Sequence, residues 1–142
     1  MKFISADYNK ENGHSTVIVQ HLGKKFVGEG RFNPEDKSGA SEFAGCTYAE
    51  TRATIKALKY ELNIAKNKLR EAQDFVKSCE CYKDFDPNSP SAKVFYRQLN
   101  RRIKRVEDLK NEIKTMQLSL KASIEARYNK IMKILEKKDK KG

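Results

Sequence analysis

Apolar residues in the C-terminal two thirds of the chain recur at spacings that alternate between three and four. The first such series is Ile55, Leu58, Leu62, Ala65, Leu69, Ala72, Val76 and Cys79. This heptad repeat predicts a helix from about residue 47 to residue 83 with one continuous apolar seam. Thr47 and Glu50 have the spacing of a capping box, which would place the helix start at Thr47.

A second apolar series predicts a longer helix over about residues 92–138, with Ser91 as its N-cap. Its positions are Leu99, Ile103, Val106, Leu109, Ile113, Met116, Leu120, Ile124, Tyr128, Ile131 and Leu135. Residues 84–91 contain Asp86-Pro87-Asn88-Ser89-Pro90, a typical turn sequence. Because so short a turn joins the two helices, we expect them to pack antiparallel as a hairpin.

The first 46 residues have a different pattern, which predicts a small antiparallel β-meander and a connecting loop. The segment STVIVQ alternates as a strand does, and turn residues precede it at Gly13 and follow it at Gly23. Gly28 and Gly30 interrupt the third predicted strand, where they indicate a bulge or the close approach of another backbone. Residues 33–46 are expected to form a loop or a short helical turn.

The expected fold is therefore α+β: residues 1–46 form the sheet and loop, and residues 47–142 form the helical hairpin. We expect the sheet to lie beside the residues that follow Ile124, where the second helix extends past the first. Two helices cannot bury all of their apolar positions against each other, so we also expect a homodimer or larger homo-oligomer.

The net charge of +11 is confined to the helical part. Residues 1–46 hold six Lys or Arg and six Asp or Glu, whereas residues 47–142 hold 24 and 13. The positive electrostatic potential of this part favours anionic partners, but it does not distinguish nucleotides from nucleic acids or acidic surfaces. No apolar run approaches the ~20 residues of a membrane span. Three cysteines, an odd number, favour a reducing cytoplasm over a disulfide framework.

Four cations recur at intervals of four in the second helix: Lys93, Arg97, Arg101 and Arg105. Like charges at this spacing repel by about 0.2–0.5 kcal/mol per pair, so the stripe predicts an anionic ligand such as a phosphate. The alternative is a solvated basic face. Candidate base or ribose contacts nearby are Phe85, Asn88, Tyr96 and Asn100. Arg52, also a candidate phosphate ligand, would reach this region only from another subunit.

Catalytic and metal-binding patterns are sparse. His14 and His21 flank the second strand without a nucleophile at a telling spacing, and Cys79-x-Cys81 lacks the spacing of a structural zinc site. We therefore expect no enzyme activity, no metal and no cofactor.

Two segments, SEFAGCTYAETRATIKALKYE and FDPNSPSAKVFYRQLN, together with the order of elements, resemble the bacteriophage Thoeris anti-defence sponge family. The resemblance implies an oligomeric, non-catalytic protein that acts in the cytoplasm of the infected or lysogenic bacterial host. Such a protein would sequester a cyclic ADP-ribose isomer made by a TIR enzyme, in pockets between protomers. It further implies arginines on the pyrophosphate and an aromatic ring on the adenine, and adds weight to Arg52.

Two other interpretations stay open at this point. A nucleic-acid-binding or anti-CRISPR-type inhibitor would explain the charge, although Glu and Lys alternate along most of both helices. A purely structural coiled-coil protein would explain the heptads, although it requires neither the cationic stripe nor the sheet.

Overall fold

The chain forms a three-stranded sheet followed by two long helices, which confirms the expected α+β class. The computed structural model describes the backbone of residues 1–31 and 40–141, and the side chains of residues 1–31, 43–126, 129–130 and 132–137. The strands are β1 (Lys2–Asn9), β2 (His14–His21) and β3 (Lys24–Arg31), and the helices are α1 (Ala40–Glu80) and α2 (Pro90–Lys141). Residues 32–39, which include the first seven residues of the predicted loop, lie outside this description.

The sheet is an antiparallel meander with β2 in the centre. Its inner face carries Val17 and Val19, both almost fully buried. Leu22 and Gly23 alone connect β2 to β3, and both have a positive φ, as a type I′ turn requires. This turn gives the connection the twist of the flanking strands.

The sheet packs on the first half of α1 through very small residues. A Cβ added to Gly28 would lie 1.8 Å from the carbonyl oxygen of Ala49, and one added to Gly30 would lie 3.0 Å from that of Gly45. The expectation that these glycines allow the close approach of another backbone is therefore confirmed. Val17 and Val19 form a core with Ala49, Ala53 and Ala57.

The predicted start of the first helix is wrong by seven residues, since α1 begins at Ala40. Thr47 is not an N-cap: its hydroxyl donates to the backbone carbonyl of Phe43, 2.8 Å away and one turn earlier. Gly45 and Cys46 lie against the sheet, so tertiary contacts favour helix where the capping pattern favours a boundary.

The second helix also begins earlier than expected, at Pro90 rather than residue 92. Its cap is Ser89, whose hydroxyl accepts a hydrogen bond from the N–H of Ala92 at 3.2 Å, and not the predicted Ser91. Pro90 then occupies the first helical position, where a missing N–H costs nothing. The first helix also ends earlier than the predicted residue 83, at Glu80, so the connection covers residues 81–89 and is one residue longer than predicted.

The helices form the expected antiparallel hairpin. Ile55 and Leu58 of α1 pack with Leu109 and Ile113 of α2 in a second core cluster. Nearer the turn, the rings of Phe75 and Phe95 meet with centroids 5.0 Å apart. The predicted α1 seam is buried or half-buried along its whole length.

The predicted position of the sheet is wrong. Within the described part of the chain, no strand packs directly against α2. The sheet instead lies along α1, so the distal part of α2 is left uncovered and Ile124 and Leu135 are exposed. The side chains of Tyr128 and Ile131, also assigned to the seam, lie outside the description.

Candidate functional site

A cleft of about 380 Å³ lies where the β2–β3 turn meets the two helices, within the usual size of small-molecule sites. Each helix contributes four side chains at positions i, i+3, i+4 and i+7, and the turn contributes one. We call this the central cleft; its residues are Glu61, Ile64, Ala65 and Lys68 of α1, Gln98, Arg101, Arg102 and Arg105 of α2, and Leu22.

The central cleft is electropositive. Four of its lining residues are cations and, among the described residues that line it, Glu61 alone carries a carboxylate. Lys68, Arg101 and Arg102 form no ion pair with any described carboxylate, and all three residues are exposed. Leu22, Ile64 and Ala65 give the cleft an apolar side, where charge–charge attraction is less screened than in open water.

Glu61 connects the sheet to both helices at one end of the cleft. Its Oε2 accepts from Nε2 of His21 at 2.6 Å, and its Oε1 accepts from the guanidinium of Arg105. Burial alone would raise the pKa of Glu61, but the hydrogen bonds from His21 and Arg105 outweigh it and hold that pKa below its ordinary value. Glu61 therefore stays ionised and fixes Arg105 at the rim.

Leu22 reaches the cleft from a backbone conformation that a leucine seldom adopts. Its φ is +52°, in the left-handed region, which costs a residue with a Cβ roughly 1–2 kcal/mol. The side chain is 56% exposed, so burial does not compensate for this cost. The two-residue β2–β3 turn imposes this conformation, and the same turn places the Leu22 side chain at the cleft.

The predicted cationic stripe is divided between two surfaces. Arg101 and Arg105 line the central cleft, whereas Lys93 and Arg97 lie on a shallow, open surface that also includes Asn100. We call the latter the outer patch; its residues are Lys93, Tyr96, Arg97, Asn100, Arg101 and Lys104. Arg101 borders both surfaces.

None of the four proposed base or ribose contacts lines the central cleft: Asn100 lies on the outer patch, and Phe85, Asn88 and Tyr96 lie near the hairpin turn. Tyr96 donates its hydroxyl hydrogen to Oε1 of Glu80 at 2.8 Å, and this bond raises the pKa of Tyr96. Asn88 is exposed, and its backbone N–H donates to the side chain of Asp86. Phe85 is half-buried in the same turn. These contacts stabilise the turn.

Arg52 lies at the sheet end of α1 and takes no part in the cleft of its own chain. Its guanidinium donates to the backbone carbonyl of Glu29 at 2.6 Å, and Lys56, one turn later, donates to that of Val27 at 2.7 Å. These two cations satisfy carbonyls of β3, which lies at the edge of the sheet that the described residues form. In this chain Arg52 therefore has a structural partner.

Lys68 and Gln98 line the cleft, and the sequence analysis assigned neither of them to a site. A signal was present, because the antiparallel register places position 68 of α1 close to position 102 of α2. However, the spacing of apolar residues does not give the crossing geometry of the helices, so it does not indicate which flank of each apolar seam faces the other helix.

The described residues give little support for a metal site or a membrane-spanning segment. Among the described residues, no group of three or more His, Cys, Asp or Glu is placed to hold a metal ion, and Cys46, Cys79 and Cys81 are free thiols. No described helix has both the length and the apolar character that crossing a bilayer requires.

No protein-family model matches the chain, and no curated protein or solved structure is significantly similar to it.

Proposed function

We propose that the protein is a non-catalytic binding protein for a small phosphate-bearing ligand, and that the central cleft is its binding site. One observation carries the proposal: three cations without carboxylate partners among the described residues converge on one apolar-walled cavity. Forked guanidinium donors match phosphate oxygens in geometry as well as charge.

A nucleotide is the ligand class that these features favour most. The cleft offers cations for a pyrophosphate and apolar surface for a ribose or base, in a volume suited to a small molecule. The resemblance of the sequence to the Thoeris anti-defence sponges would make this ligand a cyclic ADP-ribose isomer, sequestered in a bacterial cytoplasm. The cleft is open to solvent on one side, where a second protomer would enclose the ligand.

The proposal assigns no reaction to the site. Both oxygens of Glu61 already accept hydrogen bonds, from His21 and Arg105, so this carboxylate is poorly placed to act as a general base. Binding without turnover is what sequestration requires.

Titration calorimetry with pyrophosphate, ADP-ribose, cyclic ADP-ribose and a cyclic dinucleotide tests the proposal. We expect Arg102→Gln to weaken binding about 10- to 100-fold, because a hydrogen bond to a charged group is worth about 1.5–3 kcal/mol. Lys110→Gln removes an exposed cation from the same helix, away from the cleft, and should bind as the wild type does. Normal binding by Arg102→Gln would contradict the proposal.

The outer patch favours a second candidate, a nucleic-acid-binding protein. Lys93, Arg97, Arg101 and Lys104 are all exposed there, along a surface too open to enclose a small molecule. Duplex binding should weaken steeply between 50 and 200 mM salt, whereas a nucleotide in the cleft should lose far less affinity. A salt-sensitive loss caused by Arg97→Gln, with Arg102→Gln unaffected, would favour this candidate.

A further inference from the structure

We propose that His21 is a positioning residue of the central cleft: by occupying one oxygen of Glu61, it keeps part of the Arg105 guanidinium available to an anionic ligand. The proposal rests on the proposed function, to which it adds a residue of the sheet. His21 does not line the cleft itself, so it acts on the ligand only through Glu61 and Arg105.

The two oxygens of Glu61 are divided between two donors. Its Oε2 accepts from Nε2 of His21 at 2.6 Å, and its Oε1 accepts from Nη2 of Arg105. Because an ionised carboxylate can only accept, Nε2 is the nitrogen of the His21 ring that carries a proton. Arg105 therefore reaches Glu61 through a single hydrogen bond, although a carboxylate and a guanidinium frequently form two parallel bonds.

The single bond matters because Arg105 also lines the central cleft. A guanidinium carries five N–H donors, and the bond to Glu61 uses one of them. The Arg105 side chain is 54% exposed, so its remaining donors are accessible to phosphate oxygens. If Glu61 paired with Arg105 through both oxygens, the carboxylate would occupy an edge of the guanidinium that a phosphate could otherwise bind.

The sheet places His21 at Glu61 with little freedom. His21 is the last residue of β2 and faces Lys24 in the register, across the two-residue turn formed by Leu22 and Gly23. Lys24 does not compete for the carboxylate, because its Nζ lies over the ring of Tyr60, 4.8 Å from the centroid. Among the described residues, His21 alone donates to Oε2 of Glu61.

Calorimetry with pyrophosphate tests the proposal. His21→Leu removes the donor, so that both oxygens of Glu61 can turn to Arg105, and we expect the affinity to fall about 3- to 10-fold, the worth of one hydrogen bond. His21→Gln keeps an N–H donor at this position and should retain most of the affinity. The matched control is His14→Leu, at the other end of β2 and outside the central cleft, which should bind as the wild type does.

A double-mutant cycle separates positioning from a general effect on the fold. In a Glu61→Gln background, His21→Leu should no longer change the pyrophosphate affinity, because an amide has one acceptor oxygen and cannot pair with Arg105 through two. The same result is expected in an Arg105→Gln background, where the guanidinium is absent. A merely structural role of His21 would weaken binding in every background.

The results that would overturn the role of His21 differ from those that would overturn the proposed function. If His21→Leu binds as the wild type does while Arg102→Gln is weakened, the cationic cleft stands and His21 has no part in it. If the loss persists in the Arg105→Gln background, or if His14→Leu shares it, the sheet supports the cleft only as a whole. If the wild type binds no pyrophosphate, or Arg102→Gln binds it normally, the proposed function fails and this proposal fails with it.

Discussion

At the scale of single residues, two glycines of β3 decide how the sheet and α1 are joined. Gly28 lies against the backbone of Ala49 and Ala53, and Gly30 against that of Gly45. Contacts between backbones allow no rotamer change to relieve an added methyl group. These positions therefore tolerate less volume than the side-chain core does.

We expect Gly28→Ala to destabilise the protein by about 3 kcal/mol or more, at the upper end of the range for overpacked cores. The added Cβ would lie 1.8 Å from a carbonyl oxygen, so the helix must move away from the strand. Urea unfolding measures the change. Gly30→Ala, with its nearest contact at 3.0 Å, is the graded comparison and should cost clearly less. Equal costs for the two variants would contradict this account of the packing.

At the scale of elements, the contact of His21, Glu61 and Arg105 joins β2, α1 and α2 at one carboxylate. The side chains of His21 and Glu61 are only 15% and 16% exposed, so water screens this bond less than it screens most surface pairs. Because no described strand packs directly against α2, Glu61 provides an indirect link between the sheet and the second helix.

Stability should depend on pH through Glu61. Its pKa is lowered in the folded state, so its contribution is complete above its ordinary value near 4.5 and is lost as the pH falls through the lower, folded value. We expect Glu61→Gln to cost about 1 kcal/mol at pH 7, after allowance for the exposed Arg105. The difference from the wild type should shrink towards pH 3.

Urea unfolding of both proteins between pH 3 and pH 8 measures this dependence. Glu107→Gln, at an exposed position of α2 with no ion pair to a described residue, is the control and should give little difference at any pH. A Glu61→Gln cost that grows as the pH falls would have the wrong sign and would contradict the assigned role of this carboxylate.

At the scale of the whole molecule, the hairpin leaves apolar surface that the chain itself does not cover. If the register of the Phe75–Phe95 contact continues, α2 passes the first residue of α1 near residue 130 and extends about ten residues beyond it. Ile134 and Leu135 in this extension are each 48% exposed. We expect a second copy of the chain to cover them.

Leu135→Asp should therefore shift the protein from an oligomer towards the monomer in sedimentation equilibrium, because a carboxylate in an apolar interface is strongly unfavourable. The circular dichroism of the helices should change little, since Leu135 is not packed inside the protomer. Lys133→Asp places the same group at an exposed polar position and should leave the assembly intact. A wild type that sediments as a monomer would contradict the expectation.

The sequence by itself determined the elements and the hairpin. The alternating spacing of three and four from Ile55 to Cys79 predicts the helix and its buried face without knowledge of the partner, because any antiparallel helix pair buries such a seam. The turn residues at Gly13 and Gly23 likewise marked the boundaries between the three strands. The boundaries at Thr47 and Ser91 were wrong because a cap is a local preference worth about 1 kcal/mol, which contacts with the sheet or a neighbouring cap can exceed.

Only the tertiary structure decided where the sheet lies and which cations share a cavity. Gly28 packs against Ala49 and Ala53, a contact between small residues that a search for large apolar side chains overlooks. The sequence placed Arg101 and Arg105 in one stripe with Lys93 and Arg97, since all four share a helix face. Their division between the central cleft and the outer patch depends on the β2–β3 turn reaching the middle of the hairpin. The position of this turn is set by contacts between residues far apart in the sequence, which a local sequence pattern does not encode.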